Sequence, residues 1–121
     1  MTALLVLVGA AVGAPLRYLT DRAVQSRHDS LFPWGTFAVN LVGCLLFGAI
    51  AGAAEQRVRL APEVRAFLLV GVLGGFTTFS SYAFESFTLV RDGQFAAATV
   101  NLVGQILAGL IGLWAGYVAA N

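Results

Sequence analysis

The sequence predicts an all-α membrane protein with four transmembrane helices per subunit. Hydrophobic residues make up 59% of the 121 residues, charged residues make up only 11%, and the mean hydropathy is +0.84. A soluble domain of this length cannot hide so much apolar surface in one core. Four apolar stretches also approach or exceed the ~20 residues needed to cross ~30 Å of hydrocarbon.

These four stretches occupy nearly the whole chain, so we expect one four-helix transmembrane domain over residues 1–121. The short segments between them hold most of the charged side chains. A multi-pass protein of a cell membrane is therefore expected. The predicted spans cover residues of about 3–19, 34–54, 66–90 and 95–120.

The first span carries Arg17 near its end. Two roles suit a cation at that depth. Its guanidinium could attract anions at the mouth of a pore, or it could snorkel to the membrane interface.

In the second span, Thr36, Asn40, Gly43 and Phe47 recur at intervals of four, three and four, so they share one helical face. An amide inside a membrane needs a partner. Asn40 could bond to a neighbouring helix, or it could donate its NH2 group to an anion in a narrow pore, with Thr36 nearer the mouth.

The third span contains the adjacent glycines Gly74 and Gly75, and each glycine weakens a helix by about 1 kcal/mol relative to alanine. We expect this helix to break near its middle. A break frees carbonyl oxygens, and those of Gly74 and Thr77 could hold a hard cation such as sodium. The alternative is that the glycine pair serves only close helix packing.

Aromatic rings at intervals of three follow these glycines, at Phe76, Phe79 and Tyr82. The positive edge of a ring attracts an anion weakly enough to let it leave, which suits conduction. Rings that face lipid or the protein core are the alternative. The hydroxyl donors beside the rings are Thr78, Ser80 and Ser81.

The fourth span has a polar stripe formed by Asn101 and Gln105, which lie four residues apart. Glu85, in the third span, would repel anions. We expect it to pair with an arginine, to cap a structural network or to be protonated.

The arginines are balanced across the bilayer. An even number of spans puts the termini and the second loop on one side, so three arginines there face four on the other side, and there is no lysine. Excess positive charge in cytoplasmic loops sets orientation, so this chain has little reason to insert only one way. We therefore expect dual topology and an antiparallel dimer.

Oligomerisation is also expected because a bundle of four helices is too thin to enclose a route for ions and shield it from lipid. Each span carries two glycines four residues apart, which favour close helix packing strongly and dimerisation only weakly. The pairs are Gly9 and Gly13, Gly48 and Gly52, Gly71 and Gly75, and Gly112 and Gly116.

Enzymatic activity is not expected, because no histidine, cysteine or paired carboxylates converge in the spans and Ser80 and Ser81 have no visible base. Two other functions stay open. A transporter of the small multidrug-resistance type has a similar size but needs a carboxylate in its first span, and none precedes Asp21 here. A structural membrane subunit without transport is the second.

Taken together, these motifs are similar to those of the Fluc fluoride channels, also called CrcB proteins. The resemblance covers essentially the whole chain. Its most specific part is the segment from Gly74 to Ser80 combined with a second helix that contains an asparagine. The other matching residues are Gly9, Gly13, Arg17, Tyr18, Pro33, Gly35, Thr36, Asn40, Gly43, Glu85, Asn101, Gly104 and Gly109.

The resemblance implies an antiparallel homodimer that exports fluoride passively through two pores, with a structural sodium ion on the dimer axis. The carbonyls of Gly74 and Thr77 would hold the sodium. The fluoride path would use Asn40, Phe79 and Tyr82, with Arg17 near its entrance. Thr78, Ser80 and Ser81 would join the same polar track or pack against it.

Two residues depart from the family pattern. Tyr82 stands where similar proteins have a second phenylalanine, and Gln105 stands where a small hydroxyl residue is common. Either change could alter conductance or selectivity. Some members also work as pairs of unlike subunits, although the balanced charge of this chain favours self-pairing.

Overall fold

The computed structural model describes all residues from 1 to 121 and is entirely helical. Helix α1 covers Thr2–Gln25, and α2 covers Trp34–Gln56. The third span is made of two helices, α3 over residues 62–76 and α4 over Phe79–Arg91, and α5 covers Phe95–Ala120. Four helical stretches are long and apolar enough to cross a membrane, which confirms this part of the predicted fold.

The helices lie close to the predicted spans, with one clear difference in α1. This helix continues through Pro15 and beyond Leu19 to Gln25. Gln25 then organises the first loop, because its amide nitrogen donates to the carbonyl of Phe32 and its amide oxygen accepts from the N–H of Gly35.

Glycines bring the helices together in two close pairs, α1 with α3 and α2 with α5. A Cβ atom built on Gly13 would lie 2.0 Å from the carbonyl oxygen of Val72, and one on Gly48 would lie 2.0 Å from that of Leu113. Backbones can approach this closely only where no side chain intervenes. Seven of the eight paired glycines would bring a Cβ within 3.0 Å of a neighbouring helix, and the eighth, Gly75, would bring one within 3.1 Å. The pairs therefore serve packing within the chain.

Helix α3 has an unusual middle section. After one α-helical turn at Pro62–Arg65, residues Ala66–Leu73 form the wider turns of a π-helix, and Gly74–Phe76 return to α-helical geometry. π-helical turns are rare and frequently occur near functional sites. This section packs against the glycine face of α1 and leads directly into the break.

The predicted break of the third span is present, but it follows the glycines rather than coinciding with them. Gly74 keeps helical dihedrals, with φ −62° and ψ −37°. The backbone becomes extended at Thr77 (φ −85°, ψ 158°) and Thr78 (φ −149°, ψ 117°). Gly75 instead supports close packing, because a Cβ there would lie 3.1 Å from Cα of Ala10.

Candidate functional site

The helix break is shaped by two threonines with different roles. The Thr77 hydroxyl donates to the carbonyl of Leu73 at 2.9 Å and closes the end of α3. Thr78 caps the start of α4, where its hydroxyl oxygen accepts from the backbone N–H of Ser81 at 3.2 Å. Threonine is a favourable residue at this position because its side chain satisfies an N–H group that has no partner within the helix.

The break leaves backbone carbonyls without their helical partners. In a continuous helix the carbonyl of Gly74 would accept from the N–H of Thr78, but that N–H donates to Oδ1 of Asn40 at 2.9 Å. The carbonyl of Thr77 would accept from the N–H of Ser81, which donates to the Thr78 hydroxyl instead. Two carbonyl oxygens at the break are thus free to bind another group.

Asn40 connects α2 to this break through hydrogen bonds. Its amide nitrogen donates to the carbonyl of Thr78 at 3.0 Å and to Oε1 of Gln105 at 2.8 Å. An asparagine amide carries two hydrogens. Both are therefore used within the subunit.

A chain of hydrogen bonds continues from Asn40 through the polar stripe of α5 to α4. Gln105 donates to Oδ1 of Asn101 at 2.7 Å, and Asn101 donates to the hydroxyl of Ser86 at 2.8 Å. The Ser86 hydroxyl donates in turn to the carbonyl of Tyr82 at 2.8 Å. We call this series the amide ladder. It joins three helices through groups that are expensive to leave unpaired in a membrane.

A groove of about 400 Å³ runs along the break. Its lining is largely apolar, and Asn40, Gln105 and the two threonines of the break contribute its amide and hydroxyl groups. The lining residues beyond these four include Gly43, Cys44, Phe47, Gly74, Phe79 and Tyr82.

Phe79 and Tyr82 lie together at this groove in different environments. Their ring centroids are 5.7 Å apart with an interplanar angle of 53°. Phe79 is 77% exposed, whereas Tyr82 is 6% exposed and donates its hydroxyl to the carbonyl of Leu102 at 2.5 Å. The hydroxyl that distinguishes Tyr82 from phenylalanine is thus bound to α5.

A second, smaller cavity of about 180 Å³ lies beside the first. Its polar lining consists of Arg17, Tyr18, Asp21, Thr36, Thr78 and Ser81. Thr78 therefore borders both cavities. No carboxylate lies within ion-pairing distance of Arg17, since the molecule's ion pair is between Arg91 and Asp92 at the surface.

Glu85 pairs with a hydroxyl and not with an arginine. Its Oε1 accepts from the hydroxyl of Thr36 at 2.8 Å, while its buried Oε2 has no hydrogen-bond partner. Of the three alternatives that the sequence left open for Glu85, the geometry favours the structural network over the arginine pair. The carboxyl group instead joins α4 to the same face of α2 that carries Asn40.

The remaining predicted residues lie around these cavities at different depths. Asn101 is fully buried behind Gln105, and Ser80 is exposed with its hydroxyl 3.4 Å from that of Thr78. Ser86, which is 3% exposed and completes the amide ladder, is not among the residues predicted from the sequence. Its position one helical turn after Tyr82 was the signal that could have identified it.

The fold and the site together define a class: a helical, multi-pass integral membrane protein with a largely apolar groove at a broken helix, lined at a few points by amide and hydroxyl groups. Residues 4–117 match the family model described as CrcB-like protein, Camphor Resistance (CrcB). The chain belongs to this family.

Its curated relatives are similar over nearly their whole length. A protein named fluoride-specific ion channel FluC 1 from Streptomyces avermitilis is 47% identical over 116 residues, which cover 96% of this chain and 93% of the relative. One named fluoride-specific ion channel FluC from Geobacter sulfurreducens is 43% identical over 120 residues, covering 99% and 97% of the two chains.

Proposed function

We propose that this protein is a fluoride-selective passive channel that exports cytoplasmic fluoride and so relieves its toxicity. The observation that carries the proposal is the groove at the helix break, with amides and hydroxyls in its lining and the ring of Phe79 at its edge. Family membership and the names of the relatives support fluoride as the ion. These names describe ion channels, in agreement with the expectation that the protein is not an enzyme.

The proposed path runs from the small cavity to the groove. Arg17 attracts the anion into the small cavity, where Thr36 and Ser81 also contribute hydroxyls. Thr78 borders both spaces and passes the ion to the groove, which contains Asn40 and Gln105. Hydroxyl and amide donors along the way replace part of the water that the ion gives up. Two further residues contact this path indirectly. Ser80 lies at the surface with its hydroxyl near that of Thr78, and the buried Asn101 accepts a hydrogen bond from Gln105.

Phe79 and Tyr82 provide ring edges where the groove is least polar. A ring edge attracts an anion without binding it as tightly as a cation would. Because the Tyr82 hydroxyl is bound to Leu102, its ring presents C–H groups to the groove as a phenylalanine would. Tyr82 therefore offers the anion the edge of a ring in a fixed orientation, and its hydroxyl does not bind the anion.

The functional unit is an antiparallel homodimer of subunits with dual topology. One chain walls the groove on one side only, and both Phe79 and Gly74 are exposed beside it. In a single subunit an anion in the groove would be exposed to lipid, where it would find no hydrogen-bond partners. A second copy of the chain closes the groove, and the balanced arginines allow that copy to insert in the opposite orientation.

A structural sodium ion on the dimer axis belongs to the same proposal. The carbonyls of Gly74 and Thr77 lack their helical partners, and carbonyl oxygens are the ligands that hard cations prefer. Two subunits would supply four such oxygens around the axis. No group of three or more acidic, histidine or cysteine side chains lies near enough to bind a metal ion, so the backbone oxygens are the suitable ligands.

Replacing sodium by a large organic cation tests the sodium site. We expect the purified dimer to lose thermal stability and dissociate more readily when N-methylglucamine replaces sodium at constant ionic strength. Potassium in place of sodium provides the matched control for a small cation. Equal stability in all three salts would contradict the sodium proposal and leave the channel proposal intact.

The location we propose is the plasma membrane of a bacterium, or the inner membrane where there are two. The bacterial sources of the relatives support this. The carboxylate of α1, Asp21, lines the small cavity beside Arg17 and not the groove, so the groove gives no support to the multidrug-type transporter. The structural subunit without transport gains no support from either cavity.

Fluoride efflux from liposomes tests the proposed function. We expect purified protein to dissipate a fluoride gradient and to leave a chloride gradient almost untouched. Protein-free liposomes give the background leak for each ion. Equal movement of chloride, or no movement of either ion by a folded dimer, would reject the channel proposal.

A further inference from the structure

The hydrogen-bond donors at the groove can be counted atom by atom. Both hydrogens of the Asn40 amide are used, on the carbonyl of Thr78 and on Oε1 of Gln105. Asn40 has therefore no hydrogen left for an anion unless one of these bonds breaks.

Gln105, in contrast to Asn40, has an amide hydrogen that is not used in a hydrogen bond. Its amide nitrogen also carries two hydrogens, but it makes one hydrogen bond, to Asn101 at 2.7 Å. Its side chain lines the groove although it is only 8% exposed. One N–H of Gln105 is thus without a protein partner at the site where the anion is expected.

The orientation of the Gln105 amide is fixed by the two ends of the amide ladder. At one end the backbone N–H of Thr78 can only donate, so Asn40 must turn its oxygen toward it. At the other end the carbonyl of Tyr82 can only accept, so Ser86 donates there and accepts from Asn101. The amide nitrogen of Gln105 must then face Asn101, and its oxygen must face Asn40.

We propose that Gln105 supplies the amide N–H that the permeating anion meets in this groove, and that Asn40 is a positioning residue which holds Gln105 in place. This inference rests on the proposed fluoride function and assigns the donor within it. Asn40 acts on the ion through its hydrogen bond to Gln105.

A comparison of four side chains at position 105 distinguishes the effect of a hydrogen-bond donor from the effect of side-chain volume. Gln105 and the variant Gln105→Met are similar in size, but methionine has no donor. Gln105→Ser and Gln105→Ala are both small, and only serine has a donor. Fluoride efflux from liposomes is measured for all four, with gel filtration to establish that each dimer is folded.

We expect efflux to follow the donor and not the volume. The methionine variant should be about tenfold slower than the wild type, and the alanine variant should be slower than the serine variant by a similar factor; tenfold corresponds to about 1.4 kcal/mol. If efflux instead rises as the side chain becomes smaller, or if the methionine variant equals the wild type, Gln105 is an obstruction or a bystander and the inference is overturned.

A double-mutant cycle separates the roles of Asn40 and Gln105. If Asn40 acts through Gln105, Asn40→Ala slows efflux in the wild type but causes little further loss in the Gln105→Met variant. Additive losses mean that Asn40 contacts the ion by itself, which overturns the assignment.

These outcomes differ from a failure of the proposed function. A wild-type dimer that moves no fluoride rejects the channel itself. A wild-type dimer that moves fluoride, with efflux that follows volume at position 105, rejects only the donor assignment.

Discussion

At the scale of single residues, the amide of Asn40 forms hydrogen bonds to two residues of the proposed fluoride path, Thr78 and Gln105. Its position on one face of α2 with Thr36 could be predicted from spacing alone. Its bonds to Thr78 and Gln105 could not, because they depend on how three separate helices are placed. The sequence allows Asn40 to bond either to a neighbouring helix or to an anion, and the geometry shows hydrogen bonds to neighbouring helices.

Tyr82 and Gln105, which were expected to depart from the family pattern, can be described at the same scale. Each turns a polar atom toward the protein: the Tyr82 hydroxyl donates to Leu102, and the Gln105 carboxamide joins two asparagines. Sequence alone identified both residues as unusual. It could not show which of their polar atoms stay free, because that depends on neighbouring helices.

Removing the Thr78 hydroxyl should destabilise the start of α4. We expect Thr78→Ala to lower the free energy of unfolding by about 1 kcal/mol, because the N–H of Ser81 loses its acceptor. Thr78→Ser keeps that acceptor and should stay close to the wild type. Unfolding of both variants in mild detergent, followed by circular dichroism, measures the difference. Equal destabilisation by alanine and serine would contradict the capping role.

At the scale of helices, the third span shows what glycine spacing can and cannot predict. The glycines at 74 and 75 correctly predicted a break in this span, but the chain breaks at Thr77 and Thr78. The reason is that Gly75 packs against α1, while the threonines offer side-chain oxygens that replace helical hydrogen bonds. The π-helical turns before the break have no counterpart in the residue pattern and were not predicted.

The close approach of α1 and α3 gives a prediction about Gly13. We expect Gly13→Ala to destabilise the protein by about 2 kcal/mol, because its Cβ would lie 2.0 Å from the Val72 carbonyl oxygen. Both atoms are attached to helix backbones, so relieving the clash would require the two helices to move apart. Thermal unfolding of the purified protein measures the loss.

Gly104→Ala is the matched control for this prediction. Its Cβ would lie 3.4 Å from the nearest atom, on the side chain of Phe37, which is an ordinary contact. Alanine is also the better helix former, so this variant should be as stable as the wild type or slightly more stable. A Gly13 variant that unfolds at the temperature of the Gly104 variant would show that the helices are not in tight contact.

At the scale of the whole molecule, the chain forms two glycine-packed helix pairs, and the broken span joins them, because α3 packs against α1 while α4 packs against α5. All four glycine pairs are used inside the subunit, so the dimer that we propose must use another surface. The open groove with the exposed Phe79 is the surface that we propose. Composition predicted the helical membrane fold, whereas the cavities needed the three-dimensional arrangement.

Dual topology can be tested by labelling. A single cysteine placed after Asn121, in a chain where Cys44 is replaced by alanine, should react with a membrane-impermeant reagent from both sides of the cell membrane in comparable amounts. The balanced arginines are the reason for this expectation. Reaction from one side only would contradict dual topology.

The central claim is that fluoride crosses the membrane through the groove at the helix break, and efflux from liposomes carrying Asn40→Ala tests it most directly. The matched control is Thr99→Ala, which removes an exposed hydroxyl that bonds only to its own helix. We predict that fluoride efflux falls at least about tenfold in the Asn40 variant, with an intact dimer, and is unchanged in the control. Wild-type efflux in the Asn40 variant would contradict the account.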